Sequence, residues 1–158
     1  MRVLVVDDAA VSRAAFALVA VGAGHIVVAE AAEAGPVPAL LDTHEPDALV
    51  IDGRLEGVLM PELIARVRAA HPALRIVVVA ALDETALVRA ALDAGASCAL
   101  LRPFLPSHVA AALSTPNNPA LRQAQGDDGG RPDAGLVVGG HEAGAHDVWG
   151  FRNAALYG

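Results

Sequence analysis

The chain of 158 residues contains no lysine, and all eleven of its basic residues are arginine. Eighteen acidic residues bring the formal net charge to −7, and the arginines form no basic cluster that would bind a nucleic-acid backbone. We therefore expect no nucleic-acid partner. The missing lysine, together with the many alanines, indicates a compositional bias of the genome, and this bears on one of the site residues below.

Cysteine and long apolar runs are also scarce. Cys98 is the only cysteine, so no internal disulfide can form, as is typical of a protein in a reducing cytosol. No apolar run reaches the ~18 residues of a membrane-spanning helix. The chain also lacks the charged start, apolar core and cleavage site of an export signal. The sequence therefore predicts a cytoplasmic protein with no membrane association.

Hydrophobic residues make up 54% of the chain, which is enough for a substantial core. Short, continuous apolar runs alternate five times with segments rich in helix formers. Because these runs are continuous, we expect strands buried on both faces, in a doubly wound five-stranded parallel α/β sheet with helices on both sides. The predicted strands are 2–6, 26–29, 48–51, 76–80 and 98–101, and the predicted helices are 9–21, 37–41, 61–70, 83–93 and 106–113, the fourth capped by Asp83.

The composition changes after residue 113. Residues 114–158 hold nine of the fifteen glycines, and stretches such as STPNNP and GDDGGRPDAG have no hydrophobic period. Such composition is typical of flexible linkers. The sequence thus predicts one domain over residues 1–113 and a Gly/Pro-rich, mostly flexible tail over 114–158.

Acidic residues follow two of the predicted strands. Asp7 and Asp8 end the first strand, and Asp52 ends the third. Binding sites of open α/β sheets lie at the carboxyl ends of the strands, so the three carboxylates converge if these strands are neighbours. Two such charges about 4 Å apart repel by roughly 4 kcal/mol at an effective dielectric constant of 20. The trio therefore needs a bound proton or a cation, and hard oxygen ligands suit Mg²⁺.

Three segments together carry a resemblance to a known family. VLVVDDAAVSR, DALVIDGRL and LRPF occur in this order and spacing, and they place an acid pair, a single acid and a basic-Pro-Phe motif after the first, third and fifth strands. In this respect residues 1–113 resemble the receiver domain of two-component response regulators. The resemblance implies a flavodoxin-like sheet with the strand order 2-1-3-4-5 and a role as a single-domain response regulator in a phosphorelay, not an enzyme.

The resemblance also implies a role for each matching residue. Asp52 is the expected acceptor of a phosphoryl group from a sensor histidine kinase or a histidine phosphotransfer protein. The carboxylates of Asp7, Asp8 and Asp52 and the backbone carbonyl of Arg54 are the expected Mg²⁺ ligands. Arg102 is the expected charge partner of the phosphoryl group. A monomer or a weak dimer is expected.

The sequence departs from the family pattern at Glu56, where the family often has proline, and at three positions that concern the phosphoryl group and the response to it. Arg102 stands where the family has lysine, and its planar fork is not equivalent to a compact ammonium. Ala80 replaces the Ser or Thr whose hydroxyl binds the phosphoryl oxygen, and Ala99 replaces an aromatic residue that moves with that hydroxyl. Both groups that usually report phosphorylation are therefore missing. The resemblance further implies a cis peptide bond before Pro103.

The first helix is apolar on nearly every face, so one face is left uncovered by the sheet. The expected buried stripe is Ala15, Phe16, Val19 and Ala20, and the expected outward residues include Ala14, Leu18 and Val21. Exposed apolar patches often mark partner sites, and this helix is a usual docking face for the phosphodonor in receivers. We therefore expect Ala14, Leu18 and Val21 to bind the partner.

Other functions remain as alternatives. Loss of the reporting groups at Ala80 and Ala99 favours a degenerate receiver that acts as a phosphorylation-independent interaction module. A phosphatase of the haloacid-dehalogenase type also uses an aspartate nucleophile with Mg²⁺, but it needs a second aspartate where this chain has Arg54. A nucleotide-binding site is disfavoured because no glycine-rich loop follows the first strand.

Overall fold

The computed structural model describes residues 1–114 and the backbone of residues 136–139; the rest of the predicted flexible tail lies outside the described residues. The strands are β1 (Arg2–Val6), β2 (Ile26–Ala31), β3 (Ala48–Asp52), β4 (Arg75–Ala81), β5 (Cys98–Arg102) and β6 (Leu136–Gly139). The helices are α1 (Ala10–Gly22), α2 (Val37–His44), α3 (Met60–Ala70), α4 (Thr85–Asp93) and α5 (Pro106–Ser114). None of these five helices combines the length and apolar character that a bilayer crossing requires.

The strands form one parallel sheet in the order β2-β1-β3-β4-β5-β6. The first five strands confirm the predicted order 2-1-3-4-5 and the predicted fold class. The sixth strand was not predicted: β6 adds to the outer edge of β5, with Leu136 opposite Cys98. Leu136-Val137-Val138 is a short apolar run with two β-branched residues, which favours a strand, but the glycines on both sides of it made it hard to predict.

Helices cover both faces of the sheet, as the continuous apolar strands predict. On one face, α1 and α5 pack on alternate strand residues such as Val5, Val50 and Leu100. On the other face, α2, α3 and α4 pack on the intervening residues, which include Leu49 and Ile51. The four inner strands are therefore buried on both sides, and their carboxyl ends are held in fixed positions at one edge of the core.

Two local predictions were wrong. Asp83 does not cap α4, because Glu84 occupies the N-cap position and its side chain makes no cap hydrogen bond; the Glu84 carboxylate instead accepts the Ala81 N–H. In α1, Phe16 and Ala20 are buried but Ala15 is exposed. The larger Phe16 ring sets the rotation of α1 on the sheet and turns Ala15 outward. Leu18 and Val21 are exposed as expected, by 76% and 56%.

Candidate functional site

Asp7, Asp8 and Asp52 come together at the carboxyl end of the sheet. Val6 of β1 lies opposite Ile51 of β3, so the residues that follow them in each strand leave the sheet side by side. Each of the three offers a carboxylate oxygen, and these oxygens all lie within 4.8 Å of one another. Asp7 and Asp52 are only 6% and 9% exposed, whereas Asp8 faces solvent. The sequence prediction of a convergent acid trio is therefore met in the geometry.

Asp7 is held by groups of α1 and of its N-cap residue, Ala9. Its Oδ1 accepts the Ala9 N–H at 2.9 Å, and its Oδ2 accepts the Ser12 hydroxyl at 2.6 Å. The Arg13 guanidinium donates to the Asp7 carbonyl at 2.6 Å. These bonds fix the turn between β1 and α1, so the orientation of Asp7 is set before any ligand binds.

Arg102 reaches both buried carboxylates. Its Nη2 lies 2.9 Å from Asp7 Oδ2 and 3.2 Å from Asp52 Oδ2, and it also lies 3.2 Å from Ser12 Oγ. The Arg102–Pro103 peptide bond is cis, as the resemblance implies. The guanidinium thus bridges the ends of β1 and β3 from the end of β5. Sequence reasoning placed Arg102 at the site but did not find this double contact, which depends on distances across three strands.

A backbone N–H holds the other oxygen of Asp52, and a second one fixes the loop that follows it. The Arg54 N–H donates to Asp52 Oδ1 at 3.0 Å, and the Gly53 N–H donates to the Val79 carbonyl at 2.8 Å. The Arg54 side chain is 72% exposed and forms an ion pair with Glu84, whose side chain is only 7% exposed. Glu84 was missed by sequence reasoning, because no motif distinguishes it from other acids at helix starts.

Ala80 and Ala99 lie in the hydrophobic interior. Both are fully buried, and they form a small cluster with Val88 of α4 and Leu101 of β5. The strand register places Ala80 beside Leu101 and Ala99 beside Val78. Neither alanine carries a hydrogen-bonding side chain or a ring. The space between β4, β5 and α4 is therefore filled by aliphatic packing.

The donor set fits a small divalent cation. Carboxylate oxygens are the ligands that Mg²⁺ prefers, and three carboxylates within 4.8 Å can surround one ion. Two nearly buried acids beside an exposed one also leave an open side for water or a phosphate oxygen. The Arg102 guanidinium contacts two of these three carboxylates, those of Asp7 and Asp52, so a bound cation and Arg102 would lie at the same cluster.

The family model of the response regulator receiver domain matches residues 3–114. The chain belongs to the response regulator receiver family. Receivers are signalling modules of two-component systems, where they interact with histidine kinases or histidine phosphotransfer proteins, and an acidic Mg²⁺ site is typical of them. In this receiver an acidic cluster and the parallel sheet are both present, as in the family.

Relatives of this receiver include chemotaxis and transcriptional regulators. It is 32% identical over 118 residues to the chemotaxis protein CheY of Thermotoga maritima, covering 72% of this chain and 94% of CheY. It is 32% identical over 115 residues to the transcriptional regulatory protein PdtaR of Mycobacterium tuberculosis, covering 71% of this chain and 54% of PdtaR. The receiver therefore spans nearly all of the first relative and about half of the second.

Solved receiver structures have the same fold. The signal receiver domain of NarL from Mycobacterium tuberculosis superposes with a TM-score of 0.65 at 30% identity, covering 71% of this chain and 91% of that domain. A response regulator from Chloroflexus aurantiacus gives a TM-score of 0.65 at 30% identity, covering 71% and 93% of the two chains.

Proposed function

We propose that this receiver accepts a phosphoryl group on Asp52 and serves as a response regulator rather than as an enzyme. The observation that carries the proposal is a carboxylate only 9% exposed, at the end of a central strand, beside two further carboxylates and one arginine. A nearly buried acid of this kind needs positive charge nearby. The three carboxylates repel an incoming phosphoryl group unless a bound cation offsets their negative charge.

Each residue has a proposed part in the transfer. An oxygen of Asp52 attacks phosphorus while the bond from phosphorus to the donor breaks, which leaves an aspartyl phosphate. Asp7, Asp8, Asp52 and the Arg54 carbonyl would hold Mg²⁺, which when bound neutralises the acceptor and the phosphoryl oxygens. The Arg102 guanidinium pairs with the phosphoryl oxygens, for which its fork offers two parallel N–H bonds.

The proposal is tested by a covalent adduct. Incubation with acetyl phosphate and Mg²⁺ is expected to raise the intact mass of the wild-type chain by about 80 Da, the mass of one phosphoryl group. Asp52→Asn replaces the nucleophilic carboxylate with a neutral amide and is expected to give no adduct. Chelation of the metal by EDTA is expected to prevent the adduct as well. An adduct that persists in Asp52→Asn would assign the acceptor to another residue.

The exposed face of α1 is the proposed docking surface for the phosphodonor. Val11, Leu18 and Val21 are 84%, 76% and 56% exposed, and Ala14 is exposed between them. The Phe104 ring meets Phe16 of α1 edge-on, with ring centroids 6.2 Å apart, so the segment after β5 lies against this helix. Leu105 is 59% exposed in that segment and adds an apolar side chain to the surface there.

Leu18→Asp is expected to slow phosphoryl transfer from the cognate histidine donor by about tenfold, because it places a charge in the centre of an apolar interface. The rate of adduct formation with acetyl phosphate should not change, since the acid cluster is untouched. Leu59→Asp is the matched control, because Leu59, which precedes α3, is similarly exposed, at 67%. Full-rate transfer from the donor in Leu18→Asp would exclude α1 as the docking surface.

A second candidate function is a receiver that binds partners without being phosphorylated. The buried packing around Ala80 and Ala99 favours it, because phosphorylation then has no hydroxyl or ring to move. The Arg102 contacts also give the acids a counter-charge without metal. Absence of any adduct in the wild type, under conditions where ordinary receivers react, would select this function.

A further inference from the structure

Glu84 is a nearly buried carboxylate at the start of α4. Its side chain is 7% exposed, its Oε2 accepts the Ala81 N–H at 2.6 Å, and its Oε1 pairs with Nε of Arg54. A buried carboxylate requires both hydrogen bonds and a counter-charge. The last residue of β4 supplies the hydrogen bond, and Arg54 supplies the charge. The partner side chain is 72% exposed, so the fixed member of the pair is Glu84.

Arg54 connects this pair to the acceptor. Its N–H donates to Asp52 Oδ1 at 3.0 Å, and its carbonyl is the backbone ligand in the proposed metal site. The side chain of Arg54 thus binds Glu84, while its backbone N–H binds Asp52. An anchor on the guanidinium limits the movement of the peptide that faces Asp52.

A second contact ties α4 to the same loop. A Cβ built on Gly53 would lie 2.6 Å from Leu87 Cδ2 and 3.2 Å from the Val79 carbonyl oxygen. Leu87 of α4 therefore packs directly on the backbone of the residue after Asp52. The contact is apolar and independent of the ion pair, so two different interactions hold α4 against residues 53–54.

We infer that Glu84 is a positioning residue for the acceptor loop: through Arg54 it fixes the amide that binds Asp52 and the carbonyl that would bind the metal. The inference rests on the proposed function, because it assigns that carbonyl to the metal site. It also gives α4 a connection to Asp52 that does not need the hydroxyl and ring missing at Ala80 and Ala99. By linkage, binding at the acid cluster and the position of Glu84 affect each other equally.

A double-mutant cycle on Mg²⁺ affinity tests the inference. We expect Glu84→Gln, Arg54→Gln and the double variant each to weaken Mg²⁺ binding by about tenfold, as loss of an outer-shell partner commonly does. The double variant should be no weaker than either single variant, since both break one connection. Binding is measured by calorimetry on the full chain, with Glu62→Gln, an exposed acid of α3, as the charge control.

The sign of the Arg54→Gln effect separates positioning from simple electrostatics. If Arg54 acted only as a positive charge, its removal would tighten Mg²⁺ binding. Tighter Mg²⁺ binding in Arg54→Gln would therefore overturn the inference. So would additive losses of Mg²⁺ affinity in the double variant. In metal-free protein, Glu84→Gln should also shift the Arg54 amide resonance while Glu62→Gln does not. An unmoved Arg54 amide would overturn it too. Equal Mg²⁺ affinity in all variants overturns positioning alone, whereas no Mg²⁺ binding even in the wild type overturns the metal site as well.

Discussion

Arg102→Ala is expected to bind Mg²⁺ about tenfold more tightly than the wild-type chain. Arg102 Nη2 lies 2.9 Å and 3.2 Å from the Asp7 and Asp52 oxygens that would hold the metal. Unit charges 4 Å apart interact by roughly 4 kcal/mol at an effective dielectric constant of 20. A bound Mg²⁺ would therefore be repelled by the Arg102 guanidinium. The Arg102 side chain is 34% exposed, so solvent screens much of this repulsion. About 1.4 kcal/mol of remaining repulsion already corresponds to tenfold in affinity.

The same variant should transfer phosphoryl groups more slowly despite its tighter metal site, because the positive partner of the phosphoryl oxygens is gone. Calorimetric titration with Mg²⁺ gives the first quantity, and the rate of adduct formation at saturating Mg²⁺ gives the second. Arg66→Ala, an exposed arginine of α3, makes the same change in net charge away from the cluster. Unchanged or weaker Mg²⁺ binding in Arg102→Ala would show that Arg102 does not oppose the metal.

Ala99→Tyr is expected to destabilise the domain by about 3 kcal/mol rather than to restore the family's aromatic switch. Ala99 is fully buried and packs with Ala80, Val88 and Leu101. A ring has no space there, and overpacking a filled core forces side chains off their preferred rotamers. The free energy of unfolding is measured by urea denaturation. Ala69→Tyr makes the same enlargement at an exposed position of α3 and should change stability little.

Wild-type stability in Ala99→Tyr would mean that the ring turns outward and that α4 leaves room for it. The core could then accommodate the aromatic residue that the family usually has at this position. A large loss of stability supports the alternative, in which aliphatic packing has taken the place of the switch. In that case signals from Asp52 must reach α4 by another connection, such as the pair formed by Arg54 and Glu84.

The fold was predictable because its strands are short, continuous and apolar. Every residue of runs such as Val3–Val6 and Ala48–Ile51 is apolar, so both faces of such a strand must be buried, which requires a sheet covered on both sides. The structure buries all of these residues. The rotation of α1 was less predictable. An alanine-rich helix has no polar face to orient it, so the exposure of Ala15 depended on where Phe16 found space.

The candidate site was predictable as far as residues adjoin strand ends. The convergence of Asp7, Asp8 and Asp52 was predictable, because the carboxyl ends of parallel strands lie at one edge of the sheet. The contacts made by long side chains were not predictable. The reach of Arg102 across β1 and β3, and the pairing of Arg54 with Glu84, depend on distances between segments that are separated by 30 or more positions. Only the folded chain brings those groups together.

The most direct test of the account locates the phosphoryl group itself. After reaction with acetyl phosphate and Mg²⁺, borohydride reduces an aspartyl phosphate to homoserine and so marks the acceptor permanently. Cleavage after arginine separates residues 14–54, which contain Asp52, from residues 3–13, which contain Asp7 and Asp8. We predict homoserine at position 52 and unmodified acids at positions 7 and 8. If acetyl phosphate at the concentrations that label ordinary receivers leaves Asp52 unmodified, the proposed role of Asp52 as the acceptor is wrong.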